Sequence, residues 1–117
     1  TAETAGVDLA FEPEPGMLVA TMAQAARFLE AVPHPRMRLT LDLGHLLLTE
    51  TPPLGKVLRH WIGRTANIHI EDMRRPTHEH LAFGEGEMPV TIARSTFPAR
   101  RSCNALRVPG HCTSKVI

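Results

Sequence analysis

The sequence lacks the features that place a chain in a membrane or direct it into secretion. Among its 117 residues, no uninterrupted apolar run approaches the roughly 18 residues of a transmembrane helix. Its first residues, TAETAGVD, do not have the basic and then apolar pattern of a signal peptide. We therefore expect a cytoplasmic protein without a membrane partner.

Cysteine is also scarce. Cys103 and Cys112 lie close together near the end and fit neither a CxxC metal motif nor a disulfide framework. We expect both to be free thiols, and the lack of further thiolates argues against a structural zinc site. With 43% hydrophobic and 21% charged residues, the composition is that of a small globular domain.

Acidic residues are absent after Glu87, and this divides the chain into two parts. Residues 1–90 contain all 12 acidic residues and eight of the 13 lysines and arginines, a formal charge of −4. Residues 91–117 contain five basic residues and show neither a helical nor a strand period. We expect a folded domain over 1–90 and a divergent, irregular tail over 91–117. The negative balance of the first part argues against a nucleic-acid partner.

Three short apolar runs predict β-strands at residues 7–11, 37–41 and 66–70. Apolar residues recur at helical spacing in the two intervening stretches. They are Leu18, Met22, Ala25, Ala26 and Leu29 in the first, and Leu54, Val57, Leu58, Trp61 and Ile62 in the second. Thr51 is placed to cap the second helix and Gly63 to end it. This order predicts parallel βαβ units, either in an open doubly wound sheet or in a (β/α)8 barrel.

Each predicted strand ends in residues that can bind a metal or move a proton. They are Glu12 and Glu14 after the first strand, Asp42 and His45 after the second, and His69, Glu71 and Asp72 at the third. Because the carboxyl ends of parallel strands meet at one edge of a sheet, we expect the three sets to lie close together. Carboxylates with one or two imidazoles suit Mn²⁺, Mg²⁺, Co²⁺ or Zn²⁺. Glu71 and Asp72 are equally consistent with solvated positions, with Asp72 capping a turn.

The segment after the third strand has weaker signals for substrate binding. Gly84 and Gly86 permit a close approach of the backbone to a polar substrate. The stretch GEGE is too short to be the dinucleotide-binding motif GxGxxG. Arg74 and Arg75 are suited to a phosphate or a carboxylate.

The same segment contains two histidines separated by one residue, His78 and His80. Such a pair can suggest metal ligands. Without a helix to fix the geometry of the two imidazoles, however, we expect this stretch to be a loop.

Together these motifs resemble the xylose-isomerase-like TIM-barrel superfamily and, within it, the sugar phosphate isomerase/epimerase group. The resemblance extends from about residue 7 to residue 88. It rests on four motifs. FEPEPG is similar to a segment with a metal-binding glutamate, and LDLGH is similar to a strand end with the pattern D-x-G-H. NIHIED is similar to a strand end with the pattern H-x-x-D, and HLAFGEGEM is similar to a loop with the pattern G-x-G.

The resemblance implies an α/β fold that is a partial (β/α)8 TIM barrel of about three βα units, with residues 1–90 as the C-terminal part of the barrel domain. It implies a metal-dependent isomerase or epimerase that acts on a small sugar, sugar phosphate or polyol by enediolate-type proton transfer. Glu12, Asp42 and His69 are then the ligands of a divalent metal ion, and Glu12 also transfers the proton. His45 contacts the substrate or a second metal, whereas Glu14 matches the pattern less well.

The sequence also departs from this family. Complete barrels have about 250 residues, and the final ligand glutamate is missing because no acidic residue follows Glu87. An open part of a barrel exposes apolar strand edges, so we expect poor stability or association into an oligomer. Two other functions stay open: a metal-dependent phosphodiesterase of the AP-endonuclease type, which shares this scaffold, and an inactive barrel fragment.

Overall fold

The computed structural model describes residues 1–89, residue 92 and the backbone of residues 114–116. The elements, in chain order, are α1 (Ala2–Ala5), β1 (Leu9–Phe11), α2 (Met22–Ala31), β2 (Met37–Asp42), α3 (Leu43–Thr49), α4 (Leu54–Trp61), a 3-10 turn (Ile62–Arg64), β3 (Thr65–Ile70), β4 (Asp72–Arg74), β5 (Thr77–Leu81) and β6 (Ser114–Val116). Cys103, Cys112 and most of the tail predicted as irregular lie outside the described residues. No helix in the described part is long and apolar enough to cross a membrane.

A four-stranded sheet in the order β1-β2-β3-β6 forms the centre of the fold. β1, β2 and β3 are parallel to one another, and β6 pairs antiparallel with β3. Helices connect the parallel strands, as predicted, and within the described residues the sheet stays open rather than closing into a barrel. β1 lies at one edge, where Leu9 is 52% exposed. The expected association into an oligomer stays a prediction.

The pairing of β2 with β3 contains an irregularity that matters for the site. Leu39 pairs with Thr65, but the next residue, Thr40, pairs with Asn67 rather than with Ala66. A β-bulge of this kind places two residues of one strand opposite one residue of the other. Both faces of β2 are buried from Leu39 onward, as expected of a strand in a parallel sheet that is covered by helices.

α2 begins where its sequence provides a capping box. The Thr21 side chain accepts a hydrogen bond from the Gln24 backbone, and the Gln24 side chain accepts one from the Thr21 backbone. Met22, Ala25 and Leu29 face the core, in agreement with the predicted period. Leu18 precedes the helix and is 92% exposed, so its assignment to the apolar face was wrong.

α4 buries Leu54 and Leu58 against the core, as its spacing predicts. Its N-cap position is Pro53, whose side chain has no hydrogen-bond acceptor, so the capping role predicted for Thr51 was wrong. The α-helix ends at Trp61, and a 3-10 turn continues through Gly63.

After β3, two short antiparallel strands, β4 and β5, form a hairpin. Asp72 pairs with Leu81, and Arg74 pairs with Thr77. The loop expected around His78 and His80 is therefore a strand, because the chain turns sharply after Arg74 and pairs with itself.

Candidate metal centre

Asp42, the last residue of β2, is also the N-cap of α3. Its Oδ1 atom accepts hydrogen bonds from the backbone N–H groups of Gly44 at 2.7 Å and His45 at 3.0 Å. The residue is 2% exposed, and its second carboxylate oxygen, Oδ2, has no hydrogen-bond partner among the described residues. A buried carboxylate oxygen without a partner is costly. A cation at this position would satisfy it.

His45 reaches the same place because the Asp42 cap starts α3 directly at the end of β2. Its ring is almost fully buried, and its Nδ1 atom lies 3.2 Å from the carbonyl oxygen of Pro13. The same nitrogen lies 3.7 Å from Oε1 of Glu12. α3 therefore turns an imidazole toward the segment that follows β1.

Glu12 and His69 meet across the sheet. The Nδ1 atom of His69 lies 3.2 Å from Oε1 of Glu12 and 4.0 Å from Oδ2 of Asp42. On the other side of the ring, the Asn67 amide nitrogen lies 3.0 Å from Nε2. Because an amide nitrogen only donates, Nε2 accepts and the ring proton is on Nδ1, where it is donated to Glu12.

One ligand atom from each of Glu12, Asp42 and His45 lies within 4.8 Å of the others. These three residues form a possible metal site, and the orphaned oxygen of Asp42 fits a cation there. His45, for which we expected a contact to substrate or a second metal, belongs to this group. His69 lies beside it, and its assignment as a ligand stays a prediction. Glu14 is not part of the group.

Asp72 is not solvated, contrary to one of our expectations. It is 1% exposed, and its carboxylate accepts hydrogen bonds from the backbone N–H groups of Met73, Gly84, Gly86 and Met88 at 2.8–3.0 Å. Burial acts to raise the pKa of this carboxyl, but the four backbone hydrogen bonds outweigh it and hold the pKa below its usual value. Asp72 therefore fixes the path of the glycine-rich segment.

The two glycines of GEGE direct their N–H groups at Asp72. A side chain at Gly86 would place its Cβ atom 2.2 Å from Oδ1 of Asp72 and 2.5 Å from the carbonyl oxygen of Met73. Gly84 has a φ of +93°, which side chains rarely adopt. These glycines are needed for close packing of the segment onto Asp72, and their contact with a substrate stays a prediction.

The two arginines also have partners within the protein. An Nη2 atom of Arg74 donates to the carbonyl oxygen of Glu85, and Nε of Arg75 donates to the carbonyl oxygen of Leu47 at 2.8 Å. Arg74 thus braces the glycine-rich segment, and Arg75 ties the hairpin to α3. Binding of substrate by either guanidinium stays a prediction.

His78 is a residue whose place at the site was missed. Its Nε2 atom lies 3.1 Å from Nε2 of His45, and the two rings are nearly perpendicular, with centroids 4.9 Å apart. His80, on the same face of β5, instead contacts Glu71 through its Nδ1 atom. The available signal was the alternation of histidine with other residues in THEHL, which directly follows a turn sequence. Because residues two apart in a strand share a face, this pattern indicates a strand with both histidines on one side.

Residues 1–97 match the model of a protein family described as "Xylose isomerase-like TIM barrel". Among curated proteins, none matches the chain.

Proposed function

The chain belongs to the xylose isomerase-like TIM barrel family, and from this premise we propose that it is a metal-dependent isomerase or epimerase of a small sugar, sugar phosphate or polyol. The observation that carries this proposal is the buried Oδ2 atom of Asp42. It has no hydrogen-bond partner in the described part of the chain and lies beside two further groups that can bind a cation.

Glu12, Asp42 and His45 would hold the divalent ion, with His69 as a fourth ligand if its Nδ1 proton is displaced. Mixed oxygen and nitrogen donors suit Mn²⁺, Mg²⁺, Co²⁺ or Zn²⁺. When bound, such an ion stabilises negative charge as it develops on a substrate oxygen.

Glu12 is the group that moves the proton on the carbon beside the substrate carbonyl. Its Oε1 atom accepts the N–H of His69 at 3.2 Å, which fixes the direction of the carboxylate. The side chain is 30% exposed, which leaves part of it open to a substrate. Pro13, which follows it, restricts Glu12 to extended backbone and so limits the positions of its carboxylate.

The far end of the substrate would meet the segment that Asp72 holds in place. Gly84 and Gly86 give this segment a compact path, and Arg74 binds it from the hairpin. A guanidinium has five N–H donors. Arg74 and Arg75 therefore keep donors for a phosphate or a carboxylate beyond the carbonyl contacts described above.

Proton transfer is tested most directly by deuterium exchange. The 117-residue chain is incubated with Mn²⁺ in D₂O with a panel of aldoses, ketoses and their phosphates, and NMR follows deuterium at the carbon beside the carbonyl. We expect exchange together with isomerised or epimerised product. Glu12→Gln should slow exchange at least about 100-fold, whereas Glu30→Gln, an exposed position on α2, should not.

A protein that binds Mn²⁺ tightly but exchanges deuterium into none of these substrates would contradict the isomerase proposal and leave the metal site intact. If the chain binds no divalent ion, the result supports the alternative that it is an inactive barrel fragment.

The second candidate is a metal-dependent phosphodiesterase of the AP-endonuclease type. The observation that favours it is the number of imidazoles at this site: His69 lies beside Asp42, and His45 contacts both Glu12 and a third imidazole, that of His78. Sites rich in imidazole suit Zn²⁺, which can activate water as a nucleophile. Cleavage of a duplex with one abasic site in the presence of Zn²⁺, without deuterium exchange into sugars, would support this candidate instead.

A further inference from the structure

The two ring nitrogens of His45 have different kinds of partner. Nδ1 faces the carbonyl oxygen of Pro13 at 3.2 Å and Oε1 of Glu12 at 3.7 Å. Nε2 faces Nε2 of His78 at 3.1 Å. A neutral imidazole has one proton, so the partners decide which nitrogen is protonated and which has the free lone pair.

The two partners do not act alike. A carbonyl oxygen can only accept, so Pro13 favours the form of His45 that is protonated at Nδ1. In that form, Nδ1 has no lone pair for a cation held by Glu12 and Asp42. An imidazole nitrogen can either donate or accept, so His78 is compatible with both forms of His45.

We propose that His78 is a positioning residue for the metal site, a role that rests on the function proposed above. It accepts the proton of His45 at Nε2 and so leaves Nδ1 of His45 free to bind the cation with Glu12 and Asp42. Metal-binding histidines commonly donate their other N–H to such a partner, which fixes the ring and raises its basicity.

The protons balance in this exchange. Without a cation, the proton of His45 is on Nδ1, and His78 donates its own proton from Nε2. With a cation, the His45 proton is on Nε2, and the His78 proton is on its own Nδ1. Both rings are neutral in both states. His78 is exposed, so water can exchange these protons.

The hairpin holds His78 firmly against α3. Met73 is fully buried and packs on Gly44, the residue before His45, where a Cβ atom would lie 2.9 Å from the methionine side chain. At the turn of the hairpin, Nε of Arg75 donates to the carbonyl oxygen of Leu47 in α3. Contacts from β4 and from the turn therefore hold the hairpin against α3 and fix the distance between the two imidazoles.

His80 provides a matched control on the same strand. It lies on the same face as His78, with ring centroids 5.2 Å apart, but contacts Glu71 instead of His45. Replacing it removes one imidazole from the hairpin without touching the Nε2 contact of His45.

The test is ¹⁵N NMR of the imidazoles in the 117-residue chain, with and without Zn²⁺, for the wild type, His78→Ala, His78→Gln and His80→Ala. In the wild type we expect the His45 proton on Nδ1 without Zn²⁺ and on Nε2 with it. Zn²⁺ affinity should fall about 10- to 100-fold in His78→Ala. It should stay within about threefold of wild type in His78→Gln, because the amide oxygen accepts the same proton, and should be unchanged in His80→Ala.

The possible failures can be told apart. If His78→Ala binds Zn²⁺ as tightly as the wild type, or if His45 keeps its proton on Nδ1 in the Zn²⁺ complex, the role of His78 is overturned while the metal site stands. If the wild type binds no Zn²⁺, the metal site and this inference are both overturned. The His78→Gln variant separates loss of an acceptor from general damage to the hairpin, since both substitutions remove the ring.

Discussion

Asp42 and His69 are register partners on neighbouring parallel strands, and Oδ2 of Asp42 lies 4.0 Å from Nδ1 of His69. The backbone pairing of β2 with β3 thus brings a buried carboxylate oxygen and an imidazole to the same end of the sheet. Glu12, from the end of β1, completes the contact by accepting the N–H of His69. Strand register therefore brings Asp42 and His69 together, and Glu12 reaches His69 from the position directly after β1.

Asp42→Asn tests the orphaned oxygen. The remaining amide oxygen can still cap α3, but the amide group in place of Oδ2 cannot bind a cation. We expect the unfolding free energy without metal to change little and the stabilisation by Mn²⁺ to be lost. For a wild type at 100 times its dissociation constant, that stabilisation is about 2.7 kcal/mol. Thermal unfolding with and without Mn²⁺ measures it, and Asp8→Asn, at an exposed position, serves as the control.

The lowered pKa of Asp72 predicts that the stability of the fold depends on pH. Its pKa is below its usual value in the folded protein, so the stabilisation is fully present above the usual value of 3.8. It decreases as the pH falls below that value and is lost once the pH passes below the folded pKa. We expect Asp72→Asn to be less stable than the wild type at pH 7 by roughly 2–4 kcal/mol. The amide keeps only one acceptor oxygen, so two of the four backbone N–H groups lose their hydrogen-bond acceptor. Urea unfolding from pH 7 to pH 2 should show this difference shrinking; a constant difference would contradict it.

The two glycines of the segment should respond differently to alanine. Gly86→Ala brings a methyl group into backbone and carboxylate atoms at 2.2–2.5 Å, so the segment must leave Asp72. Gly84→Ala meets no atom within 4 Å and suffers only from its positive φ. We expect a cost of about 1 kcal/mol at Gly84 and a clearly larger one at Gly86. Urea unfolding of both variants checks the order, and equal costs would argue against close packing on Asp72.

Asn67 offers a direct test of His69 as a metal ligand. The Asn67 amide donates to Nε2 of His69 and so keeps the ring proton on Nδ1. In Asn67→Asp the carboxylate can only accept, which moves the proton to Nε2 and frees Nδ1. We expect Zn²⁺ binding to tighten by about tenfold, measured by calorimetry. Unchanged affinity would indicate that His69 does not bind the ion, and Asn67→Ala controls for loss of the donor alone.

The parallel strands and their helices could be predicted because period and composition are local properties of the sequence. Leu54 and Leu58 are buried as their spacing predicts. The strand ends could be predicted to converge because parallel strands leave little choice of direction. These local signals therefore recovered the fold class and the carboxylates of the possible metal site.

The rest depends on contacts between distant parts of the chain. α3 has only seven residues, too few for a clear period. Its start is set by the Asp42 carboxylate. Asp72 is buried because backbone groups up to 16 residues away donate to it, and no composition rule shows that. His78 meets His45 only once the hairpin folds onto α3.

The bulge in the pairing of β2 with β3 has a consequence for the chemistry. If the register of Leu39 with Thr65 continued without interruption, Asp42 would pair with Ile68 instead of His69. Neighbouring residues of a strand point to opposite faces, so the carboxylate would then have a hydrocarbon neighbour and the imidazole would lie one step further along. A single extra residue, Ala66, thereby decides whether Asp42 lies beside His69 at the possible metal site or beside Ile68.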